Sequence, residues 1–409
     1  MLLVGMSVLG AAHFYVWARL VHDPGLPPAA YGLLSALTLL LWLSIPATLI
    51  LGRSLKPRFA VLLVWPGYVW LGALFLLLVA VASVDVLKGL FELWVWLSGT
   101  DFSEARPLEL TRFWATLAAG LASVTILTSL WLGRQVKVKR VEVRLPRLPP
   151  AMHGTTIVQL SDVHIGLTIG RRFLERVVDK VNALDADVVV ITGDLVDGSV
   201  AKLAPAVAPL GRLRARHGVF FVTGNHEYYS GADAWCAHLT GLGLRVLRNE
   251  RVAIGANGQS YDLAGVDDFS AHHFGGGHGA DLARALAGRD ETRELVLLAH
   301  QPRAVVEAER AGVGLQISGH THGGQIWPFN LLVRLQQPVT SGLVRFGRSL
   351  IYVSNGTGYW GPPMRLGSPA EISLLVLLSE AVAPEAAAAR TAVAAPGPGK
   401  KALGPELSV

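Results

Sequence analysis

The feature that most limits how this chain can fold is a set of long apolar runs confined to its first third. "LLSALTLLLWLSIPATLILG" and "FAVLLVWPGYVWLGALFLLLVAVA" contain no charged residue. A helix needs about 20 mostly apolar residues to cross the hydrocarbon core of a bilayer. Four segments meet that length: Leu2 to Trp17, Ala30 to Gly52, Phe59 to Ala82 and Phe113 to Leu132. Pro46 and Pro66 fall inside spans, where a kink is tolerated when neighbouring helices satisfy the freed backbone groups. The first run is not read as a signal peptide: no Lys or Arg precedes it, no small-x-small cleavage site follows, and three more apolar runs come after. Val86 to Gly99, "VLKGLFELWVWLSG", is too short and too charged to cross again, and its tryptophans suit a helix at the membrane surface. Overall 51% of residues are hydrophobic and 16% charged, against about 25% charged in soluble domains. From Val138 onward charge returns to ordinary density. The expected organisation is therefore a transmembrane region over 1–135, a basic juxtamembrane linker over 136–154, a catalytic domain over 155–378, and a disordered Ala/Pro/Gly tail over 379–409.

The loops set an orientation. Arg53, Lys56 and Arg58 lie between the second and third spans with no acid, and Arg134, Lys137, Lys139, Arg140, Arg144 and Arg147 follow the fourth with only Glu142 opposing them. The first loop pairs Arg19 with Asp23, and the third mixes Lys88, Arg106 and Arg112 with Asp85, Glu92, Asp101, Glu104 and Glu109. The positive-inside rule then places both termini and the later domain in the cytoplasm. The net charge of +6 sits largely in that juxtamembrane cluster, which fits anionic lipid headgroups better than nucleic acid. No span carries Asp, Glu, Lys or Arg near its centre, the usual mark of a transport path. His13 is the one ionisable residue there and is read as helix packing, so the spans are read as an anchor. The single cysteine, Cys236, cannot form an intrachain disulfide and is read as a small buried residue on a helix.

Beyond Thr155 apolar strands alternate with amphipathic helices. "TIVQL", "DVVVITG", "VFFVTG", "YDLAGV", "ELVLLA" and "LQISG" are separated by helices such as "RRFLERVVDKVNAL" and "PRAVVEAERAG". This alternation indicates a layered α/β fold with sheets inside and helices outside. "SLIYVSNG" and "EISLLVLL" have no helix between them, so part of the sheet is expected to be antiparallel.

Chemistry gathers where those strands end. "LSDVHIG" carries Asp162 and His164, "ITGDLVDG" carries Asp194 with Asp197 close by, and "VTGNHEYY" carries Asn225, His226 and Glu227. "LLAHQP" carries His300, and "ISGHTHGG" carries His320 and His322. Ligands of open α/β sheets collect outside the carboxyl ends of strands, so these loops are expected to converge. Carboxylate, amide and imidazole donors without a thiolate suit divalent Mn, Fe, Zn or Co. So many donors exceed the need of one ion, and two ions about 3.5 to 4 Å apart serve in-line displacement at phosphorus. Asp197 and Glu227 fit capping or supporting roles better than direct ligation.

The ordered set D-x-H, G-D, G-N-H-E, H and G-H-T-H resembles the calcineurin-like metallophosphoesterases over Thr155 to Leu378. "GVDD", "SGHTHGGQ" and "SNGTGYWGPPMRLGSPAEI" look closest to its membrane-associated bacterial branch, which includes enzymes acting on lipid precursors. The resemblance implies a sandwich of mixed β-sheets flanked by helices. It implies that Asp162, His164, Asp194 and His322 bind one ion, and that Asp194 bridges to a second held by Asn225, His300 and His320. His226 matches the family's non-ligand histidine, a candidate to stabilise developing charge or protonate the leaving oxygen after attack by a metal-activated hydroxide.

The substrate is expected to be a phosphodiester or pyrophosphate, with a lipid-linked or nucleotide-sugar lipid reaching a site held beside the bilayer. Tyr359 and Trp360 in "GYWGPP" are candidates for lipid contact, with packing as the other reading of Trp360. His272, His273 and His278, in "DDFSAHHFGGGHG", could cap the site or hold phosphate, or form a solvated loop. A protein phosphatase, or a membrane sensor or transporter with a regulatory metal-binding domain, is the alternative reading.

Overall fold

A computed structural model describes residues 2–51, 57–99, 108–256 and 258–382. The tail expected to be disordered lies outside the described residues from 383 onward, as do Arg53, Lys56, Asp101, Glu104 and Arg106. Helices α1 (Leu2–Trp17, continued by a π-helical turn at Ala18–His22), α2 (Pro28–Leu51), α3 (Pro57–Leu97) and α4 (Leu108–Leu132) pack together. All four are long and apolar enough to cross a membrane. Val86 to Leu97 does not form a separate surface helix but completes the 41-residue α3. No proline interrupts that stretch. Asp85, the charge that ends the apolar run, accepts from the Tyr15 hydroxyl at 2.7 Å and Arg19 Nε at 2.8 Å. A paired carboxylate costs a helix bundle far less than a lone one. His13 accepts from Trp70 Nε1 at 3.0 Å, which ties α1 to α3.

Residues 136–154, expected as a linker, begin instead with strand β1 (Val136–Leu145), paired in parallel along its whole length with β12 (Ala370–Ser379). The period-2 signal was present in "VKVKRVEVRL" but overshadowed by its charges. Val143 and Leu145 point inward and are fully buried while Arg144 stays exposed, the alternation of a half-buried strand. Lys139 on the same strand pairs with the buried Glu371 at 3.4 Å.

Two six-stranded sheets follow. The first has the order β1-β12-β2-β3-β4-β5, with β2 Thr156–Leu160, β3 Val188–Thr192, β4 Val219–Val222 and β5 Arg245–Val246. The second has the order β10-β11-β9-β8-β7-β6, with β6 Glu250–Ala256, β7 Gln259–Gly265, β8 Leu295–Leu298, β9 Leu315–Ser318, β10 Gly342–Phe346 and β11 Ser349–Val353. Both sheets are mixed: β12 runs antiparallel to β2, and β6–β7 and β10–β11 are hairpins. "SLIYV" and "EISLLVLL" join different sheets.

Alternate residues of each strand serve different layers. Ile157, Val188 and Val190 meet Leu263, Val296 and Ile317 between the sheets. Val158, Val189 and Ile191 face the other way, onto Leu174, Val177 and Val181 of α5 (Arg171–Asn182) and onto Trp235 and Leu239. Helices α6 (Val200–Val207), α7 (Asn225–Ser230) and α8 (Ala232–Gly241) continue that outer layer, and α9 (Leu282–Leu286) and α10 (Val305–Arg310) cover the second sheet. A short α11 (Asn330–Val333) follows β9. Strands buried on both faces explain why these runs read as continuously apolar. Cys236 lies buried on α8.

Candidate functional site

The carboxyl ends of five strands meet at one rim. β2, β3 and β4 run parallel in the first sheet, and β8 and β9 run parallel in the second. The chain therefore leaves all five near the same edge, carrying Asp162 and His164, Asp194, Asn225, His300, and His320 with His322.

Their side chains gather into two groups of donors whose ligand atoms lie within 4.8 Å of one another: Asp162, His164 and His322, and Asp194, His300 and His320. In the first group His164 Nε2 lies 3.1 Å from His322 Nε2, which is 3.5 Å from Asp162 Oδ1. In the second, Asp194 Oδ2 lies 3.1 Å from His300 Nε2, and His320 Nδ1 is 3.3 Å from that nitrogen. Asp194 Oδ2 is also 4.0 Å from His164 Nε2, so this carboxylate adjoins both groups. Asn225 Oδ1 is buried with no hydrogen-bond partner among the described residues, an orphaned acceptor that a cation would satisfy.

The backbone is strained where the donors sit. Asp162, His164, Asp194, His320 and His322 all have positive φ, between 50° and 71°. Such left-handed non-glycine residues cost about 1–3 kcal/mol each and cluster where function demands them. Gly193, at φ +82°, permits the crossing of loops: a Cβ there would collide with the Gly224 backbone and His300 Nδ1.

Burial holds His322 well below its ordinary pKa, and His164 and Arg365 push it further down. Burial and His300 lower His320 to about 3. Both stay neutral, the form that coordinates a metal. Burial would also lower His300, but Asp194, Asp162 and Asp268 together raise that imidazole, while against its own burial Asp194 is held well below the usual carboxylate range by His300, His226 and His164. A chain that juxtaposes four imidazoles and two carboxylates in a buried rim is electrostatically suited to divalent cations.

Three further residues organise the donors. Asp197 Oδ1 accepts from His164 Nδ1 at 3.0 Å and from His226 Nδ1 at 2.6 Å, orienting both rings. Glu227, fully buried, accepts backbone N–H bonds from Gly224, Asp194, Leu195 and Val196 at 2.7 to 3.3 Å, which locks the β3 loop to the β4 loop. Asp197 also lies in a third group of possible ligand atoms, with His164 and His226, all within 4.8 Å of one another.

Arg365 was not singled out from the sequence. Its fully buried guanidinium donates to the carbonyls of His322, Asn355, Ser368, Gly356 and Gly358, pinning the loop after β11 to the loop after β9. Burial lowers its pKa to about 10. An arginine beside a proline-glycine run carries no periodic signal, and its partners are backbone atoms, which no motif displays.

His226 stands at the mouth, its side chain 18% exposed, with Tyr229 at 5.4 Å and Trp360 at 5.9 Å between ring centroids. Burial works against its proton, but Asp194 and Asp197 prevail and raise the imidazole to about 9. Trp360 is 56% exposed and thus rims the opening rather than packing inside it, held by Gln325, whose side chain bonds both its backbone N–H and carbonyl. Tyr359 instead donates to the Thr168 carbonyl at 3.2 Å. His272, His273 and His278 join neither donor group. His278 sits against Arg248 and Tyr228, and Phe274 of the same loop touches Tyr229.

Residues 155–324 match a family profile described as calcineurin-like phosphoesterase. A Bos taurus relative, "Transmembrane protein with metallophosphoesterase domain", is 42% identical over 76% of this chain and 73% of its own length. The Danio rerio protein of the same description is 42% identical over 59% of this chain and 57% of its own length. An "Uncharacterized metallophosphoesterase" of Helicobacter pylori is 38% identical over 68% of this chain and 74% of its own length. With four apolar helices ahead of the matched domain and strand ends that gather possible metal donors, the chain is a membrane protein that belongs to the calcineurin-like phosphoesterases, metal-dependent phosphohydrolases.

Proposed function

We propose that this chain is a multi-pass, membrane-anchored phosphoesterase with a dinuclear centre that hydrolyses a phosphodiester or pyrophosphate bond of a lipid-linked substrate on the cytoplasmic side. The observation that carries the reading is the meeting of two donor groups around Asp194. Asp162, His164 and His322 would hold one ion, Asn225, His300 and His320 the other, and Asp194 both. When bound, divalent ions would supply neutralisation of charge on phosphoryl oxygens and a lowered pKa for a bound water.

The chain's own groups do the rest. Asp197 keeps Nδ1 of His164 engaged and so directs Nε2 toward the ion, the usual support of a metal-bound histidine. It holds Nδ1 of His226 as well, which leaves the His226 Nε2–H at the mouth to protonate the leaving oxygen. Glu227 and Arg365 keep the loops from drifting, so that the donors are set before substrate arrives. Trp360 at the mouth offers an apolar surface beside His226 for the part of the substrate that is not cleaved.

Hydrolysis of bis(p-nitrophenyl) phosphate and of its monoester by the full chain, purified in detergent with added Mn, tests this function. Turnover of the diester that is lost in Asp194→Asn and His226→Ala supports it. A folded, metal-loaded protein without turnover of either ester overturns it.

A further inference from the structure

Just past His322 the chain makes an apolar excursion that the phosphoesterase fold does not bury. Trp327, Phe329, Leu331, Leu332 and Leu335 are between 46% and 82% exposed within nine residues. This segment carries α11, and its one charge is the exposed Arg334. So dense an apolar patch is unusual on a surface facing water.

The excursion starts from the transmembrane helices. Ile326 and Met364 are buried against Ala73 and Leu76 of α3, with Ile126 and Leu130 of α4 beside them. Phe329 meets Phe75 edge to face at 6.1 Å. Gly72 permits the contact, because a Cβ there would strike Met364 and Pro362. Phe75 fixes the depth. A bilayer core takes up about 20 helical residues, and every window of that length within the apolar run from Phe59 to Val84 contains Phe75. Whatever 20-residue stretch of that run is embedded, Phe329 lies level with it.

We propose that residues 327–335 insert into the bilayer beside α3, as a second attachment of the catalytic domain to the lipid. The occupant of this surface is the bilayer itself, since the patch is continuous with helices that the same lipid would surround. Trp327 and Arg334 suit the headgroup boundary, where an indole and a snorkelling guanidinium are favoured. The insertion also positions the site. It begins beyond Gln325, which holds Trp360, and Trp360 lies against His226, so the mouth opens at the membrane surface whichever phosphoester is cleaved. The inference rests on α3 crossing the bilayer.

Spin labels test it in full-length chain reconstituted in lipid nanodiscs. In a Cys236→Ala background, Leu331→Cys, Leu332→Cys and Leu335→Cys are labelled one at a time, with Leu37→Cys on α2 and Lys202→Cys on the catalytic domain as references. The insertion predicts that labels at 331, 332 and 335 collide with oxygen far more than with a water-soluble nickel chelate, as at position 37. Collision profiles like that of position 202 overturn it. Shielding from both reagents also overturns it, since that means a second copy or another protein covers the patch. A water-exposed profile at position 37 would instead refute the membrane reading of the helices.

Discussion

Replacing Arg365 by methionine keeps most of the side-chain volume and removes every donor. Of its five carbonyl partners, His322 and Gly356 retain other donors, the Ser368 hydroxyl with the Gln325 amide and the Glu371 amide respectively. Asn355, Gly358 and Ser368 accept no other hydrogen bond among the described residues. An orphaned buried carbonyl costs about 1–3 kcal/mol, so three cost roughly 3–9 kcal/mol. Relief from burying a charge, visible in the lowered pKa of Arg365, brings the net loss toward the lower end, about 3 kcal/mol. A domain of this size loses roughly 2–4 °C of Tm per kcal/mol, so a fall of about 6–12 °C is expected. Thermal unfolding of the full chain in detergent, followed by near-UV circular dichroism, measures it. Arg365→Lys should fall nearly as far, because one ammonium cannot serve acceptors on both sides of the loop. An unchanged Tm in both variants would mean that the clamp contributes nothing, and would refute the reasoning.

Asp197→Asn should cost about 10- to 100-fold in activity or metal affinity, as loss of a partner behind a ligating histidine does; equal kcat/KM and metal content in variant and wild type would contradict this. In the same variant the alkaline limb of the pH–rate profile should move to lower pH. His226 must be protonated to act as an acid, and Asp197, with Asp194 and Glu227, is one of the three carboxylates that raise its pKa to about 9; a limb that stays in place would rule His226 out as that group. His226→Ala should lower kcat roughly 100- to 10,000-fold without loss of bound metal, and a variant that also lost its metal would point to a ligand instead. Trp360→Ala should raise KM for a lipid-linked ester while leaving KM for p-nitrophenyl phosphate unchanged, measured by steady-state kinetics on both.

The parts of this fold that can be read from sequence are those where burial writes a pattern. Strands buried on both faces, such as β3 with Val188 to Ile191, leave an unbroken apolar run, and the polar donor just past each run stands out against it. Val136–Leu145 does not read as a strand in the sequence because its outward positions carry Lys and Arg, which read as a charge cluster before they read as alternation. The extension of α3 through Val86 to Leu97 was hidden by Asp85, whose partners Tyr15 and Arg19 lie some 70 residues away in the chain. Arg365 and the four amides gathered by Glu227 act through backbone atoms, so their importance emerges only once the loops are in place. The segment from Trp327 to Leu335 carries no periodic signal, and its exposure becomes informative only beside Phe75.

The central claim is that two donor groups share Asp194 in a dinuclear centre, and metal content tests it most directly. Full-length chain purified from cells grown with Mn, Fe, Zn and Co, then analysed by inductively coupled plasma mass spectrometry, should carry two divalent ions per chain. Asp194→Asn should lose both, while Lys202→Ala keeps them. A wild-type protein that binds at most one ion at saturating metal, or an Asp194→Asn variant that retains two, would contradict the account.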